Sequence, residues 1–293
     1  MVTTSGYAGF GSQFSRESVS VEGINVFYLK GVRGEPLLYL HGLGGWGAWE
    51  RHIFSLAINY CPYVPQLPGW RDGRVPERIK SVKDYADVLA GFLEALSIPR
   101  CVVVGHSIGG WIAQYLAVDH PARVSSLVLV DSMGVDVPDR PATDLVNIDR
   151  ETFYGAAFTK METIRVAGDF GDTPESVRNS EEFESQWKGR EVLTTLAGAN
   201  PSDPDLTKRL GEIKAPTLIV WGRDDELVPL RHGEVLADSI PNSSFAVIES
   251  DERQTAGHSP MRYRVETFNL VVRNFLIGNQ EAPPQGMVTM VKA

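Results

Sequence analysis

Short, almost wholly apolar runs at residues 36–40, 101–104, 126–130, 217–221 and 244–248 recur along the chain. Their length and Val/Ile/Leu content predict strands buried on both faces of a parallel sheet. Helical spacing lies between them. Tyr85, Val88, Leu89, Phe92, Leu93 and Leu96 repeat on one face behind Ser81-Val82-Lys83-Asp84, a capping box with Asp in place of Glu. Further helices are predicted from residue 108, over 230–239, and through Phe268, Val271, Val272, Phe275 and Leu276, with Gly278 as the stop. Residues 49–60 read as a helix and 63–65 as a short strand ending in a Pro-Gly turn. Alternating residues at 18–21 and 24–29 flank Glu22-Gly23 as a tight hairpin. Strand and helix in alternation predict an α/β fold: a mostly parallel, doubly wound sheet with right-handed crossovers.

That rhythm stops between residues 132 and 207. Turn clusters there separate segments carrying Phe153, Tyr154, Phe158, Met161, Ile164, Phe183, Trp187, Leu193 and Leu196, with no buried strand among them. The pattern predicts a helical cap at 132–207 inserted in a core made of 1–131 and 208–278. Residues 1–15 lack periodicity and read as a loose arm; such an arm can pack on a second subunit, so self-association stays open. Residues 279–293, Pro-containing and aperiodic, read as a tail.

Composition narrows the function. The 293 residues are 43% apolar, enough for one large globular core, and carry a formal charge of −9 with no Lys/Arg cluster longer than a pair. A surface that tracks nucleic-acid phosphates is therefore not expected. No apolar stretch approaches the ~18 residues of a membrane helix, and the start lacks a signal-peptide core, so a cytoplasmic protein that binds no membrane is expected. Cys61 and Cys101 have no metal-ligand spacing. Neither disulfide, metal nor cofactor is expected, and the partner is a small-molecule substrate.

The candidate chemistry centres on Gly105-His106-Ser107-Ile108-Gly109, which joins the strand at 101–104 to a helix. A side chain held at the tip of so sharp a turn crowds the positions two residues either side, where only glycine fits. Serine needs a base, and the base an acid that fixes its tautomer. Asp225 and His258 each lie just beyond a predicted strand, at the carboxyl edge where such sheets bring distant loops together.

These strings, with His41-Gly42-Leu43-Gly44, Leu67-Pro68-Gly69, Trp221-Gly222-Arg223-Asp224-Asp225 and Gly257-His258-Ser259-Pro260, resemble the motifs of the α/β-hydrolase superfamily in its order, over residues 18–277. The resemblance implies a Ser107–His258–Asp225 triad, the acid being the fourth residue of Gly-x-x-Asp. Asp131 and Asp251 are the other candidates for the acid. His41 and His106 look structural, and His52, His120 and His232 lie on helices or their ends. The backbone N–H groups of Leu43 and Ile108 are the expected oxyanion donors. Gly42, Trp111, Phe158 and Trp187 are candidate pocket residues. Two departures stand out: Gln66 replaces the usual acid before Leu-Pro-Gly, and residues 250–255 before the histidine are unusually polar.

A serine nucleophile argues against dehalogenase and epoxide hydrolase chemistry, which use a carboxylate there. Acyl transfer follows, most directly a carboxylesterase acting on a small to medium apolar ester or lactone. The alternative is carbon–carbon hydrolysis of dienol diketones; enzymes of that kind resemble the chain in cap size but commonly carry Asn before the serine and Trp after the histidine, where this chain has His106 and Ser259. A serine lyase or cofactor-independent cyclase shares the scaffold. An alternative of another class is a non-catalytic small-molecule receptor on the same fold. Covalent labelling by a fluorophosphonate, with or without turnover, separates enzyme from receptor.

Overall fold

The computed structural model describes residues 14–45, 51–70, 73–157, 181–252, 255–278 and 281–292. Among these, β1 (Phe14–Val21), β2 (Ile24–Gly31), β3 (Glu35–Leu40), β4 (Tyr60–Pro65), β5 (Cys101–His106), β6 (Val124–Val130), β7 (Thr217–Gly222), β8 (Ser243–Ile248) and β9 (Val288–Lys292) form one sheet. Its order is β1-β2-β4-β3-β5-β6-β7-β8-β9. The strands from β4 to β8 in that order run parallel, while β2 meets β4, and β9 meets β8, antiparallel. The β1–β2 hairpin is as expected, with both Glu22 and Gly23 at positive φ in the tight turn.

Successive residues of a strand face opposite sides of the sheet, and the two cores divide accordingly. Leu38, Leu40, Val103, Leu127, Leu129, Ile219, Trp221, Phe245 and Val247 pack on one side with Tyr85 and Phe92 of α2 (Val82–Ala95) and Ile112 and Leu116 of α3 (Ile108–Asp119). Leu37, Tyr39, Val102, Val104, Val128, Val130, Leu218, Val220, Ala246 and Ile248 pack on the other with Ile53 and Leu56 of α1 (Arg51–Leu56). The α2 capping box forms, the Asp84 carboxylate accepting the Lys80 and Ser81 N–H groups at 2.7 and 2.9 Å.

Between β6 and β7 lie α4 (Arg150–Ala157), α5 (Glu181–Ala197) and α6 (Pro204–Arg209). α4 and α5 meet through rings: Phe153 on Phe183 and Trp187, Tyr154 on Phe183. Arg190 lies over the Trp187 ring at 4.1 Å. α7 (Arg231–Ser239) follows β7, and α8 (Pro260–Tyr263) and α9 (Val265–Ile277) follow β8, Gly278 ending α9 at φ 67°.

Both chain ends depart from expectation. Phe14 and Ser15, assigned to the arm, already pair with Gly31 and Lys30 in β1; residues 1–13 lie outside the described residues. The segment expected as a tail supplies β9, so the aperiodic reading of 279–293 is corrected. Val288-Thr289-Met290-Val291 is β-prone, and the Lys292 ammonium donates to the Ala237 and Ile240 carbonyls at the end of α7 and to Ser243 Oγ, at 2.6, 3.2 and 2.9 Å. A cation at a helix C-terminus is favourable, and this contact across the fold leaves no local pattern.

Candidate active site

Ser107 sits between β5 and α3 at φ 57° and ψ −119°, a conformation costly for a side-chain-bearing residue. Its N–H donates to Val130 O at 2.9 Å, and its carbonyl accepts from Gly110, Trp111 and Met133. A Cβ on Gly105 would overlap the Gly109 backbone, and one on Gly109 would overlap the carbonyls of Leu40 and His41. The glycines two residues either side are thus a steric requirement of the turn.

Ser107, His258 and Asp225 form one hydrogen-bonded chain. Ser107 Oγ lies 2.8 Å from His258 Nε2, and His258 Nδ1 lies 2.8 Å from Asp225 Oδ2. Asp225 Oδ1 accepts the N–H groups of Leu227 and Val228 at 2.9 and 3.0 Å. Those donors leave Oδ2 to accept from Nδ1–H, so that Nε2 faces the serine as an acceptor. All three residues are buried, with exposures of 1% for Ser107, 5% for His258 and 8% for Asp225. Of the other acids, Asp251 pairs with Arg264 Nη1 at 2.7 Å, and Asp131 lies beside Asp225. Residues 253–254, in the polar stretch before the histidine, lie outside the described residues; beside them Ser250 Oγ accepts the Ala256 N–H at 2.7 Å.

Asp131, wholly buried at φ 42°, accepts the Gly222 N–H at 2.8 Å. Burial first, and then the neighbouring Asp225 charge, push its carboxyl well above the ordinary carboxylate range. Asp225 receives three donors in the structure and Asp131 one, so the proton of the pair belongs on Asp131.

The glycine loop after β3 faces this turn. A Cβ on Gly42 would lie 3.3 Å from Ser107 Cβ. Among the described residues, the N–H groups of Leu43 and Ile108 donate to no other backbone or side-chain group. Trp111 is buried against Gly134, and among the described residues its Nε1 has no hydrogen-bond partner. Trp187 is half-buried in the α4–α5 ring cluster, and Phe158 lies outside the described residues. His106, read from the sequence as structural, donates Nε2–H to the His258 carbonyl at 2.7 Å and holds the histidine loop, while one site-supporting residue escaped the sequence reading. Trp70 Nε1–H donates to Leu43 O at 3.1 Å, with only its place just after Leu-Pro-Gly as a signal.

A strained serine turn at the carboxyl edge of a doubly wound sheet, with an acid and a histidine converging from later loops, defines a class of protein that the comparisons identify. The family model for the alpha/beta hydrolase fold matches residues 35–258, and the chain belongs to that family. It is 32% identical over 262 residues to a 2-hydroxy-6-oxononadienedioate/2-hydroxy-6-oxononatrienedioate hydrolase of Burkholderia vietnamiensis, covering 84% of this chain and 88% of that protein. It is 28% identical to a 2-hydroxy-6-oxo-6-phenylhexa-2,4-dienoate hydrolase of Burkholderia cepacia, covering 83% and 88%. Among solved structures it superposes on a membrane phospholipase A described as a bacterial virulence factor, with a TM-score of 0.72 and 26% identity over 92% of this chain and 88% of that one. No helix among the described residues is long and apolar enough to cross a membrane.

Proposed function

We propose that this chain is a serine hydrolase that cleaves a carbon–carbon bond beside the ketone of a dienol diketone acid. The order of the two readings made from sequence alone is thereby reversed, with ester hydrolysis second. The observation that carries the proposal is the likeness, over more than four-fifths of the chain, to hydrolases named for 2-hydroxy-6-oxo-dienoates, in a chain whose Ser107, His258 and Asp225 are linked at 2.8 Å each.

In this reading His258 Nε2 takes the Ser107 proton as Oγ adds to the ketone carbon. The oxyanion is held by the N–H groups of Leu43 and Ile108. In the keto tautomer, in which the dienol's hydroxyl proton has moved to the carbon beside the ketone, the bond to that carbon then breaks, its electron pair passes through the conjugated enone to the distal carbonyl oxygen, and His258 returns the proton to the dienolate so formed. Water, deprotonated by the same nitrogen, releases the acyl group. Asp225 holds the imidazole in the required tautomer and stabilises its charged form.

Ester or lactone hydrolysis uses the same atoms. His106 and Ser259 favour it, standing where carbon–carbon hydrolases commonly carry Asn and Trp. Purified protein is offered 2-hydroxy-6-oxo-6-phenylhexa-2,4-dienoate and a series of p-nitrophenyl esters. Loss of the dienol absorbance with kcat/KM above that for any ester is expected; ester turnover with an inert dienoate would overturn the reading in favour of the esterase.

A further inference from the structure

Three consecutive carbonyls of the glycine loop each accept a hydrogen bond from a side chain. His41 Nδ1–H donates to Gly42 O at 2.7 Å, Trp70 Nε1–H to Leu43 O at 3.1 Å, and Ser185 Oγ–H to Gly44 O at 2.7 Å. The His41 donor is fixed by its other nitrogen: Nε2 accepts the Leu67 N–H at 3.1 Å, a group that can only donate, so the ring proton sits on Nδ1. A trans peptide is planar, with its C=O and N–H opposed. Holding the Gly42 oxygen on one side therefore aims the Leu43 N–H, in the same peptide unit, to the other.

Two of these clamps come from segments near in sequence or from the sheet side, but the third comes from α5 in the inserted segment. α5 also approaches the loop through Gly189, where a Cβ would overlap the Leu43 carbonyl and lie 2.8 Å from Trp70 Nε1. Ser185 and Gly189 are one helical turn apart and so share a face. That face rests on the loop, while Phe183, Trp187 and Arg190 are turned to α4 or to each other.

We infer that α5 is a positioning element for the oxyanion donor: Ser185, through the Gly44 carbonyl, and Gly189, through its close approach to the Leu43 carbonyl, hold the loop that carries the Leu43 N–H in register with Ser107, so the inserted helices contribute to charge stabilisation and not to substrate choice alone. The inference rests on the reading of Leu43 N–H as an oxyanion donor in serine hydrolysis. A residue that only packs α5 onto the core would alter stability or KM. One that aims a donor at the tetrahedral species alters kcat and the binding of mimics of that species.

The test compares Ser185→Ala, Ser185→Thr, Gly189→Ala and Ser107→Ala in the full chain. It uses whichever substrate class is turned over, with phenylboronic acid as the tetrahedral mimic and thermal unfolding as the check on folding. Removal of a whole oxyanion donor costs about 10²–10³-fold in kcat, so loss of a group that aims one should cost about tenfold. Ser185→Ala is expected to lower kcat by about that factor with KM within about twofold, and to raise the boronate Ki in parallel. Ser185→Thr, which keeps the hydroxyl, should recover most of the loss, and Gly189→Ala should lose more than Ser185→Ala. Unchanged kcat and boronate affinity in folded Ser185→Ala, a loss confined to KM, or an equal loss in Ser185→Thr would each overturn the inference while leaving the serine reading intact. If Ser107→Ala keeps its turnover, the serine reading itself fails and the inference with it. Should Gly189→Ala not fold, the Ser185 pair decides.

Discussion

The sheet edge and the inserted helices flank the same glycine loop and are held in different ways. At the edge, Ser107, Asp225 and His258 sit within a few residues of buried strands, and hydrogen bonds that each involve a backbone group fix the loops: Ser107 N–H to Val130 O, the Leu227 and Val228 N–H groups to the Asp225 carboxylate, and the His106 ring to the His258 carbonyl. In the insertion, α4 and α5 cohere through Phe153, Tyr154, Phe183 and Trp187, with Arg190 over the Trp187 ring. Ring packing is tolerant of small shifts and of substitution, whereas a reacting geometry is not. On the serine-hydrolase reading proposed above, a fixed edge beneath a ring-packed insertion separates the groups that react from the groups that can vary.

The sharpest way to break this contrast is at the edge itself. Ser107→Ala should abolish turnover, by about 10³-fold or more, while the protein remains folded, since alanine keeps the turn and loses only the hydroxyl. Activity near wild type would remove the nucleophile assignment. Next in size, Asp225→Asn should lower kcat by about 10³–10⁴-fold through the wrong imidazole tautomer, with far smaller losses for Asp224→Asn and Asp131→Asn. A comparable loss in Asp131→Asn would move the acid to the end of β6.

In the insertion the expected effects are smaller and of another kind. Trp187→Ala removes a ring packed 5.5 Å from Phe153. It should change relative kcat/KM between short and long acyl groups by an amount worth about 1–3 kcal/mol, leaving the burst for a small acetyl ester largely intact. Equal loss towards every substrate in folded protein would mean that this face, too, organises the catalytic groups.

The smallest effect separates the two buried acids. Because the carboxyl of Asp131 is raised, the folded protein keeps a proton that the unfolded chain releases near its ordinary value of about 3.9. Its contribution to stability is complete below that pH and is lost as pH rises towards the folded-state value. Asparagine is a neutral isostere with no proton to lose. The Tm of Asp131→Asn relative to wild type should therefore climb as pH rises above about 4, and a flat difference would mean that Asp131 is ionised in the fold.

What could be read beforehand follows the same division. The strands, α2 with its Asp84 box and the serine turn were legible because each depends on neighbours in sequence: apolar period and glycines at fixed offsets; the pairing of Ser107 with Asp225 and His258 was what the resemblance to the family's motif order implied. β9 was not, since its docking depends on Lys292 reaching the carbonyls of Ala237 and Ile240. Nor was Ser185, whose hydroxyl meets Gly44 O from the far side of the chain. Phe183, Trp187, Leu193 and Leu196 stood out in α5 as hydrophobic landmarks, while the small residues Ser185 and Gly189, which touch the loop, carry no periodic signal.

The turn at Ser107 has a consequence for evolvability. The backbone there is dictated by Gly105 and Gly109, whose neighbours leave no room for a Cβ, and by the bonds of the Ser107 main chain, none of which involves the hydroxyl. Geometry and reactivity are thus inherited separately: the glycines preserve the socket, and the residue seated in it sets the reaction. A side chain of similar size and different nucleophilicity, such as cysteine, would meet the same backbone at this position, so the socket does not by itself dictate the reaction.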